Sequence, residues 1–308
     1  MPRFLPLLLA VLAVLYGGYW FFGRAGIEQA ARDMLDRPGI SYDSVNTIGF
    51  PSRFDTTVEG IDLETADGRV GWQAPFFQLF TLSYSPHKVI AVWPERQSLR
   101  IDGTQIGITS ERMRASAQVG VSTSVPLRQA TLEAETVDLA GPDWGVAIAR
   151  TLMAIRQTGG EGDRYDIFAE LTGLTGTIGA GRPAPPTAIR IDGVMTLDAP
   201  IDRDMGGLAP GRVDLRDATM RWTGLTLSAR GEITFSPAGG IAAQMQIDAS
   251  DPERLVTLLQ ELDLVGGEAV ATLSRALTTV TRDDGSVEVP VEIGGDALRV
   301  AGIPVGLP

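Results

Sequence analysis

Beyond residue 40 one pattern dominates the chain: apolar residues alternate with polar or small ones at every second position. Ala130–Leu139 (ATLEAETVDL), Tyr165–Leu171 (YDIFAEL) and Ile241–Ile247 (IAAQMQI) are clear stretches, the first slipping phase at Val137. Successive side chains of a strand point to opposite faces, so a period of two marks a strand with one buried face. Asp-Gly pairs at 67–68, 102–103, 192–193 and 284–285 offer the positive φ that tight hairpins demand. The 36 glycines follow no triplet period, so they read as turns between short strands and not as collagen. The expected fold is mainly β: an extended, curved antiparallel sheet with hairpins, about three packing helices and an N-terminal transmembrane helix.

Three segments break the alternation at helical spacing. Trp144–Gln157 is one, and Gly267–Val280 is another, with Leu273, Leu277 and Val280 on one face. In Asp251–Leu264, Leu255, Leu258, Leu259 and Leu262 fall on one stripe, and Ser250 and Glu253 stand at capping-box spacing. Their polar faces are not rich in basic residues, so the apolar faces are expected to pack on the sheet and not on a membrane surface.

The sequence also echoes itself. Leu99-Arg100-Ile101-Asp102-Gly103 returns as Ile189-Arg190-Ile191-Asp192-Gly193, and Leu127-Arg128-Gln129-Ala130-Thr131 as Leu215-Arg216-Asp217-Ala218-Thr219. The two echoes keep their order, which suggests two repeat-related halves, about 40–182 and 187–308, joined by the Gly- and Pro-rich segment 179–186.

Phe4–Phe22 (FLPLLLAVLAVLYGGYWFF) carries no charge over 19 residues. As a helix it reaches about 28 Å at ~1.5 Å per residue, close to the ~30 Å hydrocarbon core of a bilayer. Tyr19, Trp20, Phe21 and Phe22 close the run where a cleaved signal would need small residues, and they suit a membrane-interface belt. The expectation is a cytoplasmic stub at 1–3, a transmembrane signal-anchor at 4–22, a polar helical stalk at 23–37 ending before Pro38-Gly39, and a β-rich domain at 38–308. The length and acidity of the far side favour its export. In a Gram-negative cell that gives a single-pass inner-membrane protein with its N-terminus cytoplasmic and its bulk periplasmic.

Composition removes several classes of function. The chain has 26 basic and 38 acidic residues, net −12, which argues against nucleic acid, whose readers carry a basic stripe. It has no Cys, hence no disulfide, no thiol catalysis and no Cys-ligated metal, and its one histidine, His87, excludes any site needing two. All basic residues but Lys88 are Arg, and their scatter along the chain reads as composition bias.

Motifs with catalytic overtones fail on context. Ser85-Pro86-His87-Lys88 matches S-x-x-K, but that chemistry needs Ser and Lys one helical turn apart. Here a β-branched run, Val89-Ile90-Ala91-Val92, follows, so a strand begins at a Ser85-Pro86 turn. Asp202-Arg203-Asp204 and Asp283-Asp284-Gly285-Ser286 leave the calcium-loop spacing incomplete and read as Asp-rich turns. No catalytic residue, metal site or cofactor is assigned, and the chain reads as a non-enzyme.

The densest aromatic cluster outside the first forty residues is Trp72, Phe76, Phe77 and Phe80, with Trp93 on the next strand. Its ordinary reading is hydrophobic core. Its functional reading is an apolar groove for an acyl chain or a partner strand, because a sheet with both faces apolar must cover the second.

These same stretches carry a resemblance. Gly49-Phe50-Pro51-Ser52-Arg53-Phe54, Trp72-Gln73-Ala74-Pro75-Phe76 and Pro86-His87-Lys88-Val89-Ile90-Ala91-Val92-Trp93-Pro94 resemble the bacterial envelope family known as domain of unknown function 2125. That family is uncharacterised and hands over no catalytic residue. More distantly, the strand repeats and Val287–Pro304 look like AsmA-type envelope proteins. This likeness implies an inner-membrane anchor, a periplasmic β-groove and a part in lipid transport or outer-membrane integrity. The expected partners are the inner membrane, lipid and envelope proteins. The rival reading is a scaffolding envelope module with a filled core. A lipid holder should present a continuous apolar trough along its sheet, whereas a scaffold should have that face packed by helices.

Overall fold

The alternating stretches become antiparallel sheet. A computed structural model describes residues 4–159, 162–179, 182, 184–203, 210–236, 240–262, 270, 273–275, 277–278, 281–294, 297–300 and 302–305; side chains at 4–10, 297–298 and 303–305 lie outside the description. The chain divides into two units, Met1–Gln118 and Val119–Pro308.

The first unit holds helix α1 (Phe4–Leu35) and strands β1 (Ile40–Ser41), β2 (Ser44–Ile48), β3 (Arg53–Glu64), β4 (Val70–Leu82), β5 (Ser85–Val92), β6 (Arg96–Ile101) and β7 (Thr104–Val119). β1 and β2 share one edge of β3, and β4 takes the other. β5 and β6 share the far edge of β4, and β7 pairs with both. Val45, Val58, Ile61 and Ala74 form a buried cluster against which Ala31 and Leu35 of α1 pack. Val58 and Ile61 are three apart in one strand yet both buried. Gly60, with φ 60°, stands between them and changes the phase.

The expected stalk is therefore no free spacer. Its last turn lies on the sheet, and the helix stops at Leu35, just before Pro38 and Gly39. Among the described residues no helix is long and apolar enough to cross a membrane. The stretch expected to cross, 4–22, begins outside the described side chains.

The second unit is a meander. β8 (Leu127–Ala140), β9 (Gly145–Thr158), β10 (Arg164–Thr177), β11 (Ala188–Leu197), β12 (Pro210–Trp222), β13 (Leu225–Phe235), β14 (Ile241–Ala249), β15 (Val287–Gly294), β16 (Ala297–Val300) and β17 (Ile303–Val305) pair antiparallel, each with the next in sequence. Helix α2 (Pro252–Glu261) and helical residues at 270, 273–275, 277 and 278 stand between β14 and β15. Leu255, Val256, Leu258, Leu273 and Leu277 meet Leu225, Ala249, Val287 and Val289 in a buried core. Of the expected third helix, Gly267–Val280, residues 267–269, 271, 272, 276, 279 and 280 lie outside the described residues, as do 263 and 264 at the end of the expected second.

Four local expectations are corrected. Trp144–Gln157 is the strand β9 and not a helix: it is paired along its length on both edges, and Val146, Ile148, Thr151 and Ile155 are β-branched. The N-cap of α2 is Asp251, whose carboxylate accepts the Arg254 N–H at 2.9 Å, while the Ser250 hydroxyl accepts the Thr226 N–H instead. The β4–β5 turn is Ser83-Tyr84, since Ser85 already lies in β5. Asp192-Gly193 makes no hairpin; it runs through β11 at a register shift, where a side chain on Gly193 would meet the Asp214 carbonyl at 2.8 Å. The other three Asp-Gly pairs sit in turns, with positive φ at Gly68, Gly103 and Gly285.

The echoed pentapeptides occupy unlike places, one Asp-Gly closing a turn and its counterpart lying in mid-strand. Segment 179–186 connects β10 to β11 inside the second unit, where residues 180, 181 and 183 lie outside the description.

Candidate functional site

Residues directly opposite one another in an antiparallel pair share a face of the sheet. Following the register across the second unit therefore traces rows of side chains. One row runs Leu132–Met153–Ala169–Ile191 across β8 to β11 and continues Ala218–Ala229–Ile247–Val289 across β12 to β15. It contains no polar residue over eight strands. The next row starts Ala130–Ile155–Ile167 and ends Leu215, Gly231, Met245 and Val291, with Gly193 between. On the other side of the first row lie Leu171, Ile189, Met220, Leu227, Ala249 and Val287. Seven strand spacings of about 4.8 Å make this apolar face roughly 34 Å wide along the sheet.

A bulge keeps the rows in line. In β12 the alternation of Val213-Asp214-Leu215 breaks at Arg216-Asp217, and the register shifts between Leu215 and Ala218. Both charged residues are exposed and the apolar row resumes at Ala218. The phase slip at Val137 has a similar origin. Ala134 and Val137 are both buried, and Thr136 between them takes φ 50°; Gly173, at the same level of β10, takes φ 66°.

The two ends of this face differ in cover. At β13–β15 the helical residues bury Leu225, Ala249, Val287 and Val289. Among the described residues that core takes no member from β8–β11. There Leu132, Ala169, Ile189 and Ile191 are half-buried, and Met153 is 41% exposed.

The opposite face is charged and laced. Asp166 accepts from Arg156 at 2.9 Å and from Arg216 at 3.0 Å, and Arg216 also reaches Asp192 at 2.9 Å. The hydrogen bond from Arg156 and then the Arg216 guanidinium outweigh partial burial, and hold the Asp166 carboxyl below its ordinary range. Arg212 pairs with Asp214 and Glu232, and Arg230 and Arg282 both pair with Asp248 and Glu288. A shallow hollow of about 500 Å³ lies over this ladder, bordered by Arg156, Asp166, Asp192 and Arg216. Its cations and anions already answer one another, so it offers a ligand little uncompensated charge.

In the first unit the five aromatic candidates separate. Trp72, Phe77 and Trp93 come together edge to face, at 6.0 Å and 5.1 Å between ring centroids. The Trp72 indole donates to Gln97 at 2.7 Å, and Phe77 packs on the Val45–Val58–Ile61–Ala74 cluster. Phe76 stands opposite Glu59, and Phe80 opposite Asp55 and Ile90. Since Phe77 is their odd-numbered neighbour in β4, Phe76 and Phe80 occupy the other face. The five do not line one trough.

The belt residues also separate. Phe22 is 84% and Phe21 61% exposed, but Trp20 is only 2% exposed. Trp20 is thus corrected from an outward belt residue to an internal one, stacked on Phe54. Ser85 and Lys88, three apart in a strand, fall on opposite faces, so the S-x-x-K pair does not converge. Asp284 receives the Ser286 hydroxyl and amide within its own turn, while Asp204 of the other acidic stretch lies outside the described residues.

Sequence reasoning missed the apolar rows. Their signal was present in the alternation of each strand, but lining the strands up requires the hairpin registers and the β12 bulge.

Fold and face together define a mainly β protein with an N-terminal helix, in which a long antiparallel meander is apolar on one side and charged on the other. A family model described as "Uncharacterized protein conserved in bacteria (DUF2125)" matches residues 20–307, and the chain belongs to that family. No curated protein and no solved structure matches it.

Proposed function

We propose that this chain is a membrane-anchored protein of the bacterial cell envelope whose β8–β12 apolar face holds a lipid acyl chain. The uncharged run Phe4–Phe22 is the anchor, with the N-terminus cytoplasmic and the remainder periplasmic. The observation that carries the lipid reading is the unbroken row from Leu132 to Val289, which meets the helix-covered core at Val289 and is half-buried from β8 to β11 save for the exposed Met153. Apolar surface of that extent gains by contact with hydrocarbon, at roughly 25 cal/mol per Å² removed from water. The chain acts by holding and shielding, and no step of covalent chemistry is assigned to it.

The test uses the full chain in cells, with p-benzoylphenylalanine introduced at Met153 on the apolar face and, separately, at Glu133 on the charged face. On irradiation, a lipid adduct at Met153 and none at Glu133 is the expected result. Adducts at neither position, in folded protein, would overturn the reading. The filled core at β13–β15 supports a second reading, a scaffold working through protein contacts. A protein adduct at Met153 in place of lipid would favour it.

A further inference from the structure

Helix α1 is bound to the first unit by residues that belong to the uncharged run itself. The Tyr16 hydroxyl donates to the Pro51 carbonyl at 2.8 Å, the Tyr19 hydroxyl to the Ser83 carbonyl at 2.6 Å, and the Trp20 indole to the Arg53 carbonyl at 2.8 Å. Pro51 lies in the β2–β3 loop, Ser83 in the β4–β5 turn, and Arg53 opens β3. All three acceptors are at one end of the sheet, the end where Arg53 pairs with Leu82.

Large apolar side chains crowd the same end without cover. Phe50 is 57% exposed, Tyr84 73% and Ile48 58%, and Phe21 of the helix, which meets Phe50, is 61% exposed. Phe50 stacks on Phe21 at 6.1 Å and meets Trp20 edge-on at 5.4 Å, so loop and helix share one aromatic cluster.

We infer that the β2–β3 loop and the β4–β5 turn form a membrane-contacting surface, with Phe50 and Tyr84 entering the bilayer interface beside the helix. The occupant is a lipid bilayer surface, and the inference rests on the anchor reading proposed above. Two arguments carry it. First, Tyr16 to Phe22 span about 10 Å of helix at ~1.5 Å per residue. The twelve residues before them supply only about 18 Å of a ~30 Å core, so the loops held at Tyr16–Trp20 cannot stand clear of the lipid. Second, the polar tips of Tyr16, Tyr19 and Trp20 are satisfied by protein carbonyls, and those loop carbonyls are satisfied in return. That pairing is what entry into a water-poor layer requires of both partners. Arg53, three residues after Phe50, is paired with Asp55 at 3.0 Å.

The chain has no cysteine, so single-cysteine labelling is clean. Four full-length variants, Phe50→Cys, Tyr84→Cys, Val14→Cys and Thr104→Cys, would each carry an environment-sensitive fluorophore in vesicles of phosphatidylethanolamine and phosphatidylglycerol. Circular dichroism of each variant checks the fold. Thr104, beside the β6–β7 turn at the opposite end of β4, is the aqueous control, and Val14, 74% exposed in the run, reports the anchor. Labels at 50 and 84 are expected to emit to the blue of the label at 104 and to lose most of their emission to lipids bearing a shallow quencher. If they match the label at 104 while the label at 14 is quenched, the surface is refuted and the anchor stands. If the label at 14 is unquenched too, both readings fall.

Discussion

The indole of Trp20 lies stacked on the phenyl ring of Phe54, centroids 5.7 Å apart and planes 21° from parallel, and each side chain is 2% exposed. This pair ties helix α1 to the start of β3. Trp20→Ala removes the ring and strands the Arg53 carbonyl, and should cost about 3–5 kcal/mol. Trp20→Phe keeps a ring but loses the 2.8 Å hydrogen bond, and should cost about 1–3 kcal/mol. Gly23→Ala places a methyl 2.8 Å from the Phe54 ring tip and should fall between wild type and Trp20→Ala. Urea unfolding of the full chain, followed by circular dichroism in mild detergent, would rank the three; equal midpoints for all would mean that the helix adds nothing to the unit.

Glu28 is the electrostatic counterpart of that contact. Burial works against its charge, but the Thr47 N–H at 2.8 Å, the Arg24 side chain at 3.0 Å and the nearby Arg32 prevail and hold its carboxyl below 4.5. A carboxyl whose folded pKa is depressed contributes stability above its unfolded pKa and loses it as pH falls through the folded value. Melting temperature should therefore drop as pH falls from the ordinary carboxylate range through the depressed Glu28 value, and Glu28→Gln should flatten that part of the curve. A wild-type curve no steeper than that of the variant would remove Glu28 from the account.

How much of this was legible beforehand depends on the range of the signal. Strands such as Tyr165–Leu171 were readable because apolar and polar residues alternate locally, and α2 because Leu255, Leu258 and Leu259 recur at helical spacing. Trp144–Gln157 misled because Val146, Ala149, Leu152 and Met153 also fall near helical spacing, and only pairing with β8 and β10 decides for a strand. Trp20 carries no mark in sequence that separates a lipid-facing ring from one buried on Phe54, because only the folding of β3 brings Phe54, further along the chain, beneath it. Leu215-Arg216-Asp217-Ala218 did carry a mark, two adjacent polar residues between apolar ones. It looked like an echo of Leu127-Arg128-Gln129-Ala130, and in both stretches the middle pair is exposed and the flanks half-buried.

Phe77 and Phe80, both half-buried, stand on opposite faces of one strand, and Phe77 packs on the Val45–Val58–Ile61–Ala74 cluster. Phe77→Ala empties the space between Trp72 and Trp93 and should cost about 3–5 kcal/mol. Phe80→Ala, on the other face, should cost clearly less. Phe77→Glu should abolish folding of the first unit, because it buries an unpaired charge in the Val58 cluster. Thermal unfolding of the three variants checks the order; a Phe80 variant weaker than the Phe77 one would reverse the assignment of faces.

Gly231 tests whether the apolar face of the second unit depends on close strand approach. It sits in an apolar row between Leu215 and Met245, and a methyl built on it would lie 2.1 Å from the Gln244 carbonyl oxygen and 2.7 Å from the Met245 Cα. Both obstacles are backbone, which no rotamer change relieves, so Gly231→Ala must push β13 and β14 apart. Gly224, in the β12–β13 turn, also has positive φ but nothing within 4 Å of a built methyl. Gly224→Ala should therefore cost about 1 kcal/mol from backbone strain alone. Gly231→Ala should cost more than that and raise amide exchange in β14 at Gln244–Gln246, where Gly224→Ala should not. Hydrogen exchange read by mass spectrometry distinguishes them: equal protection of β14 in the two variants would mean that the strands yield there without breaking the row.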